Sequence, residues 1–310
     1  MARPRARRRS PAPALSAGNR ELTLRLAAFE RHLARAARTR AGGPGRLGQA
    51  LRYAVLSPGK RLRPLLVLTT CEAVGGEWRR ALPAAAAVEC VHAFSLTHDD
   101  LPAMDDDDYR RGRLTTHKKF GEALGILSGD ALLAFAFEEL TRLADEDVPP
   151  ARVVDAVRRL GRAAGADELV GGQALDIAAE GRRVRAAGVR AIHVRKTGAL
   201  MGASLAIGAL AGDADARTAD RLHEAGVLLG FAFQIHDDLL NASSSLRALG
   251  KRVGTDAARG KATYPAAVGE KRARAEAGRL MRAVERAIAR TCERPRLLLA
   301  LIEATSRRER

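Results

Sequence analysis

Apolar residues recur along this sequence at the spacing of an α-helix, and that periodicity limits the fold more than any other feature. Between Leu22 and Leu33, four apolar residues fall at i, i+4, i+7 and i+11, which is one face of a helix. No stretch longer than four residues alternates polar and apolar side chains as a half-buried strand does. The helical period predicts further helices over residues 47–56, 64–74, 83–98, 121–145, 151–164, 167–180, 187–211, 216–241, 263–291 and 296–306. The sequence therefore predicts an all-α fold.

The composition supports one large helical domain. Only 4% of the residues are aromatic and alanine is abundant, which suits helices better than sheets. The connections between the predicted helices are short, and no repeat of fixed period occurs. We therefore predict a single helical bundle over residues 21–310, long enough to bury a full core.

The cysteines and the apolar segments indicate a chain that folds in a reducing compartment. The three cysteines are too few for a disulfide scaffold, and each lies among apolar residues, so we predict buried free thiols and a cytoplasmic location. They are Cys71, Cys90 and Cys292. The uncharged stretch Thr197–Gly212 is shorter than the roughly 20 residues of a membrane span. We predict that it forms a buried core helix and that the protein has no stable membrane insertion.

The charge is strongly basic and concentrated at the N-terminus. Lysine and arginine number 53 against 36 acidic residues, for a net charge of +17. Five arginines fall within residues 1–9, and we predict that residues 1–20 form a disordered basic arm. An anionic-surface arm and an Arg-rich transit peptide remain alternatives. Nucleic-acid binding would explain the net charge but not the acidic clusters described next, so we predict no nucleic-acid partner.

Two acidic clusters each follow an apolar predicted helix. Six aspartates fall within residues 99–108, directly after the predicted helix 83–98. Asp237 and Asp238 form the second cluster, with Asn241 one turn later. Carboxylates at the ends of apolar helices are costly to bury unless they are paired or bind a metal. An exposed acidic loop is the alternative for the first cluster, but facing clusters would form a carboxylate-lined cavity suited to Mg²⁺, with Mn²⁺ also possible.

The few lysines point to phosphate binding. Arginine outnumbers lysine 46 to 7, so lysine at a given position is informative. Four lysines lie beside Gly or Thr in loop-like contexts, where a compact ammonium suits phosphate oxygens. They are Lys60, Lys196, Lys251 and Lys261.

These segments together resemble the trans-prenyl diphosphate synthase family, nearest to its bacterial farnesyl and geranylgeranyl members. The similarity runs from about Leu47 to the C-terminus and keeps the family's order of motifs. The matching stretches are Gly59–Pro64, the first aspartate cluster with Arg110–Gly112, Gly171–Asp176, Lys196–Gly198, Phe233–Asp238, Leu249–Lys251 and Gly260–Pro265. The resemblance implies an isoprenoid-synthase bundle around a central cavity, a homodimer, and condensation of isopentenyl diphosphate with dimethylallyl or geranyl diphosphate.

The resemblance also implies a role for each site residue. Asp99 and Asp105 would hold Mg²⁺ on the allylic diphosphate, with Asp100 in support, and Asp237 would hold a further Mg²⁺. The residues that contact the allylic diphosphate would be Arg110, Lys196, Thr197, Gln234 and Lys251, with Lys261 also in the substrate site. Isopentenyl diphosphate would be held by Lys60, Arg63, His92 and Arg111. Ionising a C–O bond requires charge neutralisation on the departing pyrophosphate. The resemblance therefore implies the following catalytic residues: Asp99, Asp100, Asp105, Arg110, Lys196, Asp237 and Lys251.

The second acidic cluster departs from the family pattern. Asn241 stands where the family has Asp, and Ser244–Ser245 stand where Gly-Asp is expected. Asn keeps an oxygen but loses the charge, so we predict a working enzyme with a weaker metal site. A partner subunit or slowed paralogue remains the alternative. A terpene cyclase also shares the fold, but it would not need the Lys60–Arg63 pocket for a second diphosphate.

Two residues ahead of the first cluster bear on product length. Phe94 and Ser95 lie five and four positions before Asp99, on the predicted helix that runs toward the diphosphate site. The ring of Phe94 would close the floor of the prenyl tunnel, whereas Ser95 is too small to obstruct it. In the family, an aromatic residue at this place is typical of farnesyl synthases. We predict farnesyl diphosphate (C15) as the main product, with geranylgeranyl diphosphate (C20) as the alternative.

Overall fold

The computed structural model describes residues 20–41, 43, 45–247 and 261–306. The basic arm up to residue 19, Lys251 and the side chains of Ser244 and Ser245 lie outside this part. The described chain is helical almost throughout, as predicted. Its helices are α1 (Arg20–Thr39), α2 (Arg46–Val55), α3 (Leu62–Ala73), α4 (Leu82–Asp99), α5 (Thr116–Phe120), α6 (Glu122–Thr141), α7 (Pro150–Ala164), α8 (Leu169–Ala179), α9 (Ala186–His193), α10 (Ala199–Ala211), α11 (Ala216–Arg247), α12 (Tyr264–Val268), α13 (Glu270–Thr291) and α14 (Arg296–Ser306). Short 3₁₀ helices cover Trp78–Ala81 and Arg142–Glu146.

Helix α10 lies at the centre of the core. Every residue from Ala199 to Ala211 is buried, which confirms the predicted core helix. The helix packs against α3, α7 and α11. A Cβ on Gly208 would overlap the backbone of Val67 in α3, so the small residue permits this close approach. The three cysteines are buried and free, also as predicted.

Two of the predicted helices are interrupted. The segment predicted as one helix over residues 187–211 consists of α9, a π-helical turn over Val194–Gly198, and α10. The segment predicted over residues 263–291 is divided at Gly269, whose φ of 86° ends α12 before α13 begins. Hydrophobic periodicity predicted neither change.

A small hairpin follows the first aspartate cluster. Strand β1 (Tyr109–Arg110) pairs antiparallel with β2 (Arg113–Leu114). Arg111 and Gly112 form the turn and both have positive φ, as a two-residue primed turn requires. Strands of two residues are too short to show a period, so the sequence pattern did not predict them.

Buried ion pairs tie the outer helices to the bundle. Glu139 of α6 is fully buried and pairs with His32 and Arg40 from the first helical segment. Burial alone would raise the pKa of Glu139, but the hydrogen bonds from these two residues hold it below its ordinary value. Within the described residues, no helix has the length and apolar character needed to cross a membrane.

Candidate active site

The first aspartate cluster folds back on itself at the end of α4. Asp99 is the last helical residue, and its carbonyl accepts the backbone N–H of Asp105 at 2.8 Å. The N–H of Asp106 reaches the carbonyl of Leu101, and that of Asp107 reaches the carbonyl of Asp100. These bonds close the loop and bring the Asp105 carboxylate toward that of Asp99.

The carboxylates of this loop lie in a partly desolvated setting. Burial raises the pKa of Asp99, Asp105 raises it further, and Lys196 opposes the rise. Burial also raises the pKa of Asp100 to about 6, although Arg110 Nε donates to its Oδ1 at 2.6 Å. Asp100 therefore faces Arg110, and its role in support of the metal ligands remains a prediction.

Two lysines from distant parts of the chain approach this loop. Lys261 Nζ lies 3.3 Å from Oδ1 of Asp105. Lys196 stands on the π-helical turn, and its Nζ donates to Asp176 of α8 at 2.7 Å. A Cβ on Gly172 would overlap the backbone of Lys196, so this glycine lets α8 approach the turn closely. Cationic side chains and carboxylates thus share one region, an arrangement suited to a diphosphate and its counter-ions.

The second aspartate cluster presents its two carboxylates differently. Asp237 is exposed on α11, whereas Asp238 is buried. Asp238 Oδ2 accepts from His193 Nε2 at 2.9 Å and from the backbone N–H of Tyr264 at 2.8 Å. Gln234 reaches Asp238 Oδ1 at 3.3 Å and also accepts from Thr197 Oγ1 at 3.1 Å. The structure therefore brings the predicted residues Thr197 and Gln234 into contact.

A basic pocket lies between α3, α4 and the hairpin. The Nε of Arg63 is buried and has no hydrogen-bond partner among the residues that the structure describes. Burial lowers the pKa of Arg63 to about 10, and nearby Arg111 adds to this effect. Burial, with Arg63 and Arg111, also holds the pKa of His92 well below its ordinary value. Mutually repelling cations around a neutral imidazole are an arrangement suited to binding an anion.

The neighbouring arginines and the loop shape this pocket. Arg61, adjacent to Lys60, is neutralised by Glu30 and Glu89 at 2.8 and 2.6 Å, so its role is structural. Arg111 Nη1 donates to the carbonyl of Pro58 at 2.8 Å. A Cβ on Gly59 would overlap the Arg111 guanidinium, so a larger residue there would require this guanidinium to move. Lys60, which precedes Arg61 in the chain, is exposed.

The donor set of the first cluster fits a divalent cation. Asp99 and Asp105 supply oxygen ligands, and a cation between them would relieve their repulsion and the cost of burial. Within the described residues, one group of three potential ligands lies within 4.8 Å of one another: Asp106, Asp108 and His117. That group is not the predicted trio, and Lys118 Nζ lies 2.7 Å from Asp108. The assignment of Asp99, Asp105 and Asp237 to a metal remains a prediction.

The residues predicted to set product length lie just ahead of this loop. Phe94 is buried, and its ring meets that of His98 edge to face at 5.0 Å. Ser95 Oγ donates to the carbonyl of His92, so the serine is held along the helix. A Cβ on Gly129 in α6 would overlap the His98 ring. Phe94 and His98 thus form one aromatic pair against α6.

Sequence reasoning missed several partners in this region. It did not identify His98 as the partner of Phe94, Asp176 as the partner of Lys196, or His193 as the partner of Asp238. Asp176 carried a signal, because it ends a matched motif. The histidines carried none, since a lone histidine on a helix is ordinary in a core.

The chain is similar to known proteins over most of its length. The family model described as "Polyprenyl synthetase" matches residues 44–296 of this chain. The chain is 46% identical over 224 residues to farnesyl diphosphate synthase of Geobacillus stearothermophilus, covering 72% of this chain and 75% of that enzyme. It is 45% identical over 243 residues to chloroplastic heterodimeric geranylgeranyl pyrophosphate synthase large subunit 1 of Arabidopsis thaliana, covering 77% of this chain but only 66% of that subunit.

A solved structure also superposes closely. The FPP/GFPP synthase of Zymomonas mobilis, in its apo form, gives a TM-score of 0.81 at 35% identity, covering 92% of this chain and 98% of that one. The similar proteins include both farnesyl and geranylgeranyl synthases, so similarity does not separate the two products.

Proposed function

This chain belongs to the polyprenyl synthetase family and is a short-chain prenyltransferase, and we propose that its main product is farnesyl diphosphate. The observation that carries the proposal is the contact of the buried Phe94 with the partly exposed ring of His98, the residue directly before Asp99. An aromatic pair packed against α6 leaves a growing chain little room beyond this depth. Geranylgeranyl diphosphate is the alternative product.

We propose that the allylic diphosphate binds between Asp99, Asp105, Lys196 and Lys261. The C1–O bond of the allylic substrate breaks, and its electron pair leaves with the pyrophosphate. Lys196, Lys261 and Arg110 neutralise the charge that develops there. The alkene of isopentenyl diphosphate then attacks the allylic C1 through its C4, and loss of a proton from isopentenyl C2 leaves the C2–C3 double bond of the product. The departing pyrophosphate is the base that the family resemblance implies.

The basic pocket is proposed to hold isopentenyl diphosphate. Arg63 and Arg111 supply positive charge, and neutral His92 supplies a hydrogen bond. Lys60 would complete the set.

We propose that Mg²⁺ is the metal, with Mn²⁺ able to replace it. Asp99 and Asp105 would hold one Mg²⁺ and Asp237 a further one, and both would supply charge neutralisation on the allylic diphosphate. Arg110 and Lys196 remain as fixed cations beside those ligands. Lys251 lies outside the described residues and keeps its predicted role as a contact to the same diphosphate.

We propose that residues 21–310 form one folded unit and that the protein is a homodimer. Exposed apolar side chains on three consecutive helices support the dimer: Leu127 of α6, Val154 of α7 and Val170 of α8. Helix α6 packs on α7, and α7 on α8. Leu127→Glu should lower the sedimentation coefficient toward that of a monomer. The buried free cysteines support the predicted cytoplasmic location.

One assay tests the proposed product directly. Radiolabelled isopentenyl diphosphate is incubated with Mg²⁺ and, separately, dimethylallyl, geranyl or farnesyl diphosphate, and the products are resolved by chain length. The proposal expects C15 from the first two primers and little extension of farnesyl diphosphate. Efficient extension of farnesyl diphosphate to C20 would overturn the farnesyl assignment.

The asparagine at position 241 favours a second candidate function. The loss of a charged ligand in the second cluster suits a partner subunit or a slowed paralogue, and one relative is named as the subunit of a heterodimer. In that case the purified chain would show little turnover alone under the same assay. The intact first cluster and basic pocket support the active enzyme instead.

A further inference from the structure

Asp238 is the most heavily engaged carboxylate of the second cluster. It is 6% exposed, and its two oxygens accept three hydrogen bonds from three elements. His193 comes from the end of α9, the Tyr264 amide from the start of α12, and Gln234 from one turn earlier in α11. These bonds use most of the acceptor capacity of a carboxylate. Asp238 is therefore placed as a structural acceptor, unlike the exposed Asp237 beside it.

We propose that Asp238 and His193 are positioning residues that hold Lys261 beside the first aspartate cluster. The Tyr264 amide is fixed at 2.8 Å from Asp238 Oδ2, and Lys261 lies only three residues earlier. Three residues reach about 10 Å at most, so fixing Tyr264 restricts where the ammonium can lie. Its present place is 3.3 Å from Asp105 Oδ1. The proposal deepens the proposed function, because it concerns the same allylic site.

His193 links this arrangement to the other lysine of the site. It is 6% exposed and immediately precedes the π-helical turn that carries Lys196. Its ring lies 6.3 Å from that of Phe231, which meets the Tyr264 ring edge to face at 5.3 Å. The hydrogen bonds and ring contacts therefore join α9, α11 and α12 at one point. Lys196 and Lys261, which both lower the pKa of Asp99, are carried by the segments that meet there.

Hydrogen exchange at the Tyr264 amide tests the clamp without turnover. His193→Phe keeps a ring against Phe231 but removes the donor to Asp238, whereas His193→Gln keeps an N–H donor. Loss of one supporting hydrogen bond should speed exchange at Tyr264 about tenfold in the Phe variant, with near wild-type exchange in the Gln variant. His223→Gln is the matched control, because this histidine lies on α11 about four turns before Asp238 and so away from the Tyr264 amide. Unchanged exchange in His193→Phe would overturn the proposal.

Steady-state kinetics test whether the clamp acts through Lys261. His193→Phe should raise KM for the allylic diphosphate about fivefold to tenfold and leave KM for isopentenyl diphosphate unchanged. Lys261→Gln should show the same KM change with normal exchange at Tyr264. The double variant should be no worse than Lys261→Gln, because both changes remove one interaction. Fully additive effects would contradict action through Lys261.

The two readouts separate this proposal from the proposed function. If the wild-type chain forms no prenyl product, the proposed function fails, and the exchange measurement still decides whether the clamp exists. If product forms normally but His193→Phe shows neither faster exchange at the Tyr264 amide nor a KM increase confined to the allylic diphosphate, only the positioning role fails.

Discussion

Lys261 places its ammonium nitrogen 3.3 Å from Oδ1 of Asp105, although the two residues are 156 positions apart in the chain. Lys196 approaches the same loop from the middle of the sequence, on the π-helical turn. The candidate site is thus assembled from three separated regions. Its charge balance depends on the packing that holds them together, and not on the first aspartate cluster alone.

Removing either proposed metal ligand of the first cluster should abolish turnover. Asp99→Ala or Asp105→Ala should lower kcat at least a hundredfold, because losing a ligand to a transition-state metal costs about 3 kcal/mol or more. The measurement is incorporation of labelled isopentenyl diphosphate at saturating Mg²⁺. Asp145→Ala, on a surface 3₁₀ helix, is the matched control and should retain wild-type activity. Full turnover by the wild type in excess chelator would show that no metal is needed.

The unpartnered nitrogen of Arg63 makes a substrate-specific prediction. Arg63→Gln should raise KM for isopentenyl diphosphate about tenfold to a hundredfold, since a charge-assisted contact to a diphosphate is lost. KM for the allylic substrate should change less than about twofold. Initial rates with each substrate varied in turn give both constants. Arg79→Gln, an exposed arginine paired with Glu77, controls for the loss of charge. Equal effects on both KM values would place Arg63 outside the isopentenyl site.

The helices of this protein follow from its sequence because helical periodicity is a local property. The apolar stretch Thr197–Gly212 predicted the central helix, and the structure buries all of α10. Local pattern does not extend to the π-helical turn at Val194–Gly198 or the two-residue strands of the hairpin. The turn depends on close packing against Gly172 of α8, and tertiary contacts of this kind leave no period in a sequence.

The candidate site was predictable by residue type but not by partner. The charges of Lys196 and Asp105 led us to predict phosphate and metal chemistry there, because those residues stand out in composition and position. The pairs they form, Lys196 with Asp176 and Lys261 with Asp105, depend on how distant helices meet. Asp238 and Asp237 are the same residue type at adjacent positions, and only the burial of Asp238 in the folded protein distinguishes them.

Glu139 should make the protein sensitive to acid. Its pKa is held below the ordinary value of 4.5, so its stabilising contribution is present above about pH 4.5 and is lost as pH falls through the folded-state pKa. Glu139→Gln should cost about 3 kcal/mol of unfolding free energy at pH 7, because it leaves Arg40 and His32 without a carboxylate. Urea unfolding of both proteins from pH 7 to pH 4 should show this difference shrinking at the acid end. Glu138→Gln changes the exposed neighbour, and its difference from the wild type in unfolding free energy should not depend on pH in this way. If the difference between Glu139→Gln and the wild type stayed constant from pH 7 to pH 4, it would contradict the lowered pKa of Glu139.

Restoring a charge at Asn241 should strengthen metal binding. Asn241 is exposed on α11 one turn after Asp237, so Asn241→Asp adds a carboxylate on the same face. The Mg²⁺ concentration for half-maximal activity should fall about threefold to tenfold. Asn241→Gln keeps the amide and serves as the control. Identical metal titrations for the Asp variant and the wild type would place Asn241 away from the metal.

Phe94 should set the length of the product. It is buried, and its ring packs edge to face on His98, which in turn fills the space above Gly129. Phe94→Ala removes the larger part of this floor, and the main product should shift from C15 to C20 or longer. The cavity should also cost about 3 kcal/mol of stability, so thermal unfolding is measured alongside. Phe137→Ala, a half-buried phenylalanine of α6 beside Gly161, is the control and should keep the wild-type product. Products are resolved by chain length from a geranyl primer. A wild type that already makes C20, or an active Phe94→Ala variant that still makes C15, would place the tunnel floor elsewhere.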